Sequence, residues 1–257
     1  MLYTINNDTI TLKVDTKACE MHSLKRNDED YEYLWNGDEK YWKGRNPILF
    51  PQISSASTKT NIINGKEYPM GNHGFARNSE FTLVDRSDDA LLFFLKENEE
   101  TLKQYPYSFN LYVTYIVKED SVKIKYLIEN TNDEVMPFGF GLHPGFNVQK
   151  DYKDTKIVFN NGHELTINKE LFEKYPTYYE EPTPSSADLY TNNHHVRLEF
   201  KGFRHLAIWS PFAPFVCIEP WNNLGAKDGI DFEKRPENIN LEPKQAIEIS
   251  YKIQLLK

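Results

Sequence analysis

The sequence predicts an all-β protein, one large antiparallel β-sandwich with few short helices, and three observations carry that reading. Residues 9–14, 122–128 and 247–255 alternate apolar and polar side chains, as half-buried strands do. No long stretch keeps the helical period of about 3.6 residues. No internal repeat, low-complexity tract or linker divides the chain, so residues 1–257 read as a single domain. Aromatic residues make up 14% of the chain, enough to fill a large core.

Taken in order, residues 9–14 form the first strand. Leu34-Trp35-Asn36-Gly37-Asp38 reads as a strand ending at an Asn-Gly turn, and Gly44-Arg45-Asn46-Pro47 places a cation at the mouth of an apolar, proline-bounded run. Ile62-Ile63-Asn64-Gly65-Lys66-Glu67-Tyr68 carries the signature of a two-residue hairpin. Residues 91–95, 109–117 and 122–128 are strands, with Lys118-Glu119-Asp120-Ser121 turning the chain between the last two. Residues 150–195 are polar and read as long connections with a short helix near Leu171; residues 196–200 and 206–209 return to strand. In Phe215-Val216-Cys217-Ile218-Glu219-Pro220-Trp221, Pro220 lacks a ladder donor, so Glu219 reads as the last residue of a buried strand. Burial raises a carboxyl pKa, which suits a general base working near neutrality; a strand-end Glu paired with an Arg is the plainer alternative.

The net charge of -8 and pI near 5.5 argue against nucleic acid and anionic membrane as partners. Cys19 and Cys217 lie far apart in apolar or mixed runs and are expected to be buried free thiols. The N-terminus has no basic segment followed by an apolar one, and no apolar run approaches the ~20 residues of a spanning helix, so a soluble cytoplasmic protein is expected. The seven histidines form no His-x-His or His-x-x-x-His pair, and no Cys-x-x-Cys occurs. No phosphate loop, nucleophile elbow or dinucleotide fingerprint is present either, so neither a metal nor a cofactor is expected.

Four segments each bed a polar or charged residue among Gly, Pro and aromatics. They hold Arg45, His73 with Arg77, His143, and Glu219. A sugar site needs this mixture, flat apolar faces against C–H groups and charged groups for hydroxyls, and Trp35, Trp42, Phe75, Phe146 and Trp221 are candidate faces; each aromatic is also an ordinary core residue. The segments Asn46-Pro47-Ile48-Leu49-Phe50-Pro51, His73-Gly74-Phe75-Ala76-Arg77, Gly141-Leu142-His143-Pro144-Gly145-Phe146 and Cys217-Ile218-Glu219-Pro220-Trp221 together resemble the aldose 1-epimerase (mutarotase) family, LacX-type branch.

The resemblance implies a galactose mutarotase-like β-supersandwich and cofactor-free interconversion of the α and β anomers of a hexose. It implies Glu219 as the general base on the C1 hydroxyl and His143 as the general acid on the ring oxygen. His73 would hydrogen-bond the sugar, with Asn46 and Trp221 in the same site. Arg45 and Arg77 match positions that hold sugar hydroxyls or, in the hexose-6-phosphate branch, the phosphate. The His73-Gly74-Phe75 run is shared with that branch, so a hexose-6-phosphate mutarotase is an alternative. A non-catalytic sugar-binding or sensing protein on the same fold is another. The family's sugar-binding Asp has Asp188 as its candidate counterpart. The sequence leaves the oligomeric state open, a homodimer included.

Overall fold

Strand Ser121–Asn130 pairs antiparallel with Phe109–Lys118 on one side and with Ala246–Leu256 on the other, and a nine-stranded sheet grows outward from these three. Beyond Phe109–Lys118 lie Ala90–Lys96 and Thr82–Arg86. Beyond Ala246–Leu256 lie His194–Glu199, Ser186–Thr191, Thr155–Phe159 and Glu164–Thr166. The computed structural model describes all residues, Met1–Lys257. Its two α-helices, Glu99–Leu102 and Lys169–Lys174, are short, and the second is the helix expected near Leu171. Asn98 and Asn168 cap them by accepting backbone N–H bonds. No helix is long and apolar enough to cross a membrane.

A second sheet faces the first. Its strands run in the order Tyr178–Tyr179, His205–Trp209, Phe215–Trp221, Gly141–Leu142 and Ile48–Leu49, with Gly145–Asn147 also pairing with Phe215–Trp221. Both sheets feed one core of 57 buried residues, including Leu111, Val113, Ile124 and Ile253 from the first and Leu206, Ile208, Val216 and Ile218 from the second. Strand side chains alternate between faces. Val216 and Ile218 therefore point into this core, while Phe215, Cys217 and Trp221 belong to smaller clusters on the opposite face. Glu219 shares that opposite face by register.

The Asn-Gly hairpin is present, with Thr60–Ile63 paired to Lys66–Pro69 and Asn64 and Gly65 at φ 50° and 74°. Both positive angles fit a two-residue turn matched to strand twist. Cys19 and Cys217 are buried free thiols. Three expectations are corrected. Leu34 makes only an isolated bridge to Phe146, so no strand ends at Asn36-Gly37; there Asn36 Oδ1 accepts the Asp38 N–H in a side-chain turn. Residues 150–195 are not mainly connections, for they hold Thr155–Phe159, Glu164–Thr166, Tyr178–Tyr179 and Ser186–Thr191. Their outward positions carry Lys156, Asp188 and Tyr190, and this polar face masked the strands. Third, the strand holding Glu219 runs on to Trp221. The Ile218 N–H donates to Pro144 O, so alternation turns position 220 toward the same side. His143 and Pro144 interrupt the pairing there, and Pro220 sits where no ladder partner is required.

Candidate active site

The outward face of the second sheet forms the floor of a cavity of about 320 Å³. Trp42, Ser54, Asn72, His73, Arg77 and His143 line it together with Thr177, Tyr179, Trp209, Glu219 and Trp221. Glu219 and Trp221 come from the same strand. Trp209 and Tyr179 follow on neighbouring strands, with Ala207 directly opposite Glu219 and Tyr179 opposite Ala207. Ala207 sets only a methyl group beside the carboxyl. Gly141 lets Trp221 settle close, since a Cβ there would stand 2.7 Å from Trp221 Cδ1.

His143 hangs from the interrupted connection between Gly141–Leu142 and Gly145–Asn147, and its Nε2 lies 3.2 Å from Glu219 Oε2. The two atoms are close without hydrogen-bond alignment, and Glu219 Oε2 and His143 Nδ1 are buried without a partner in the protein. Orphaned buried polar atoms are costly in a native fold unless something else meets them. Burial pushes the Glu219 carboxyl well above its ordinary range, against the opposing pull of Arg77 and the Trp221 indole. That indole N–H nevertheless makes no aligned hydrogen bond. Burial also holds His143 well below its ordinary value, helped by His73 and Arg77. Burial thus disfavours charge on both groups and pulls the pair toward a protonated carboxyl beside a neutral imidazole. The Trp42 ring lies against His143, with centroids 4.7 Å apart.

His73 sits in a tight turn in which it and Gly74 both take left-handed angles, φ 64° and 70°. Gly74 is required there, because a Cβ would fall 2.2 Å from Phe50 O. The Ser54 N–H donates to His73 Nδ1 at 3.1 Å, which makes that nitrogen an acceptor. Burial, and then Arg77, lower the His73 pKa to about 3, so the ring is neutral and its proton resides on Nε2 as a donor. Arg77 lies on the short Ala76–Asn78 turn, half-buried, with Glu20 and Glu219 as the carboxylates acting on it.

Five of the eight residues predicted from sequence thus meet: His73, Arg77, His143, Glu219 and Trp221. Three do not line the cavity. The Arg45 guanidinium packs over Gly37, where a Cβ would stand 2.7 Å from its Cζ. Asn46 is consumed by the scaffold, its Oδ1 accepting the Met21 N–H at 2.7 Å and its Nδ2 donating to Met21 O at 2.6 Å. Asp188 lies on the other sheet, bound to His195 Nε2 at 2.6 Å and to Arg197 Nε at 2.9 Å. Of the candidate aromatic faces, Trp42 and Trp221 line the cavity, while Trp35, Phe75 and Phe146 are core. Trp209, Tyr179, Thr177, Ser54 and Asn72 line it without having been singled out. Strand alternation from Glu219 was the signal for Trp209, once the two strands are known to pair. Glu219 is the only carboxylate in the lining.

A family model described as aldose 1-epimerase matches residues 1–208, a span that includes His73, Arg77 and His143 and stops short of Glu219. The plasmid-encoded protein LacX of Lactococcus lactis is 29% identical, with all of both chains covered. Among solved structures, a galactose mutarotase-like protein from Lactobacillus casei matches with TM-score 0.92 and 28% identity over all of both chains. A galactose mutarotase related enzyme from Lactobacillus acidophilus matches with TM-score 0.92 and 27% identity, covering 100% of this chain and 98% of that one.

Proposed function

Since the chain belongs to the aldose 1-epimerase family, we propose that it interconverts the α and β anomers of a neutral hexose by acid–base opening of the sugar ring. The observation that carries the proposal is the His143–Glu219 pair, 3.2 Å apart and buried at the floor of a cavity walled by Trp42, Trp209 and Trp221. Anomer exchange needs a base to take the proton of the C1 hydroxyl and an acid to protonate the ring oxygen. The C1–O5 bond breaks, the C1–C2 bond rotates, and reclosure returns both protons. Glu219 acts as the base and His143 as the acid. The pair works with one proton between its members, so the active form requires that proton on His143. Sugar oxygens entering the cavity give the buried charges the partners that the protein alone does not supply. The His73 Nε2–H donates to a sugar oxygen, and the indole faces pack against sugar C–H groups.

The charge of the cavity supports a neutral substrate. Arg77 is the only guanidinium in the lining, and it lies in the field of Glu20 and Glu219. A phosphate clamp of Arg45 with Arg77 loses its first member to the packing over Gly37. The hexose-6-phosphate reading rests on Arg77 alone. Polarimetry of freshly dissolved α-anomers, run on a panel of hexoses and their 6-phosphates, tests the proposal. Acceleration above the spontaneous rate is expected for at least one free hexose. Saturable sugar binding with no acceleration at any pH would instead favour the sensing role.

A further inference from the structure

Cys217 stands two residues before Glu219 on the same strand, so the thiol and the carboxyl project from the same face. One ligand atom each from His143, Cys217 and Glu219 lies within 4.8 Å of the other two, and all three residues are buried. Cys217 packs with Trp35, Ala213 and Phe215 behind the cavity wall, and the acid–base chemistry proposed above gives it no part. From this juxtaposition we propose a second property of the site: it captures a thiophilic divalent cation, Zn²⁺ in the first instance, on His143, Cys217 and Glu219.

The donor set is one imidazole nitrogen, one sulfur and one carboxylate oxygen. That mixture suits Zn²⁺ or Co²⁺, which take four ligands in tetrahedral sites. It is wrong for Mg²⁺ and Ca²⁺, which need six or more oxygens. Zinc bonds of about 2.0–2.3 Å place tetrahedral ligand atoms roughly 3.3–3.8 Å apart. The trio therefore needs to close modestly from its present spacing, and the 3.2 Å His143–Glu219 approach is already at the short end. A further observation points to a ligand here. Glu219 Oε2, the oxygen that faces His143 Nε2, is buried without a hydrogen-bond partner in a residue only 1% exposed. Because His143 and Glu219 line the cavity, an ion has a route to them, and the Cys217 thiol, which is not in the lining, supplies the third ligand from behind the wall. Binding replaces the thiol proton, and the carboxyl proton where Glu219 carries one, and both leave to solvent. The bound ion occupies the lone pairs that ring opening uses, so it inhibits. This inhibitory consequence rests on the function proposed above, whereas the coordination does not.

The test uses the full chain and two probes. Co²⁺ titrated into the wild-type protein should produce a thiolate-to-cobalt charge-transfer band that Cys217→Ala lacks. Zn²⁺ should inhibit mutarotation of a free hexose, EDTA should reverse the inhibition, and Mg²⁺ should have no effect. Cys217→Ala should retain the basal rate and need at least about tenfold more Zn²⁺ for the same inhibition, since even lost outer-shell partners cost ~10–100-fold in metal affinity. Cys217→Ser, close in size, serves if the alanine variant folds poorly. Absence of the charge-transfer band, or equal zinc sensitivity of wild type and variant, overturns the site. If no sugar is epimerised at all, the function proposed above fails while the cobalt spectrum still decides the metal site.

Discussion

Replacing Glu219 with Gln separates chemistry from packing. The residue is 1% exposed, and the amide has nearly the same shape, so the cavity keeps its walls. What disappears is the oxygen able to take the C1 hydroxyl proton. Loss of a positioned general base typically costs ~10²–10⁴-fold, or about 2.7–5.4 kcal/mol of transition-state stabilisation at ~1.36 kcal/mol per tenfold. The fold should tolerate the change. Burial already drives the wild-type carboxyl toward its neutral form, so no charge of large desolvation cost is being exchanged. The most the amide adds is a donor without a partner, at about 1–3 kcal/mol. Three measurements should therefore diverge. The polarimetric rate falls toward the spontaneous one, sugar affinity read from the emission of Trp42, Trp209 and Trp221 changes little, and the melting temperature moves by a few degrees at most. A variant that turns over like the wild type refutes the assignment. One that loses affinity in proportion to rate assigns Glu219 to binding alone.

The pH–rate profile of the wild type should be bell-shaped, bounded by the two macroscopic pKa values of the His143–Glu219 pair, and His143→Gln should remove the bell; a monotonic wild-type profile would contradict a one-proton pair. His73, with its pKa held to about 3 against an ordinary 6.5, leaves a proton for the unfolded chain to bind between those values, so stability is greatest above pH 6.5 and falls as the pH drops. The loss is about 2 kcal/mol by pH 5 at ~1.36 kcal/mol per unit. His73→Asn, which tolerates the left-handed angle and can still accept the Ser54 N–H, should flatten the decline in denaturant midpoints, whereas an unchanged slope would place the proton uptake elsewhere. His143 and Glu219 are shifted in opposite senses, so their contributions to that balance carry opposite signs. Finally, glucose 6-phosphate should bind no more tightly than glucose at low salt, and Arg77→Ala should weaken both; a phosphate preference that fades with salt would restore the clamp.

The strands legible in the sequence are those whose two faces differ. Residues 247–255 alternate cleanly because Tyr251, Ile253 and Leu255 enter the core while Lys252 and Gln254 look outward. Thr155–Phe159 and Ser186–Thr191 are buried at alternate positions too, but they are short, and some of their buried positions hold Thr155, Ala187 and Thr191 rather than large apolar residues, so the pattern drowns in the polar turns around them. Within the site, the residues visible beforehand sit in motifs with local causes. His73 precedes a glycine that its turn demands, and Glu219 precedes a proline at an interruption in the sheet. Arg45, Asn46 and Asp188 have the right chemistry for a sugar, but each is already engaged elsewhere, and nothing in a linear sequence tells a free Asn from one spent on the Met21 backbone.

The remaining wall could be read only once sheet neighbours were known, and this bears on how the site is held. The stretch Phe215-Val216-Cys217-Ile218-Glu219-Pro220-Trp221 is buried at every position, so its sequence does not distinguish the core face from the site face. The distinction appears in the partners. Val216 and Ile218 join the inter-sheet core, while Cys217, Glu219 and Trp221 meet Trp209, Ala207 and His205 across the register. One strand therefore anchors the sandwich with its even residues and presents carboxyl, thiol and indole with its odd ones. A one-residue slip of this strand would exchange Glu219 with Ile218 and bury the carboxyl in the apolar core. The apolar side chains that hold the register also fix the carboxyl where His143 can reach it, so the stability of the sandwich and the geometry of the pair depend on the same residues.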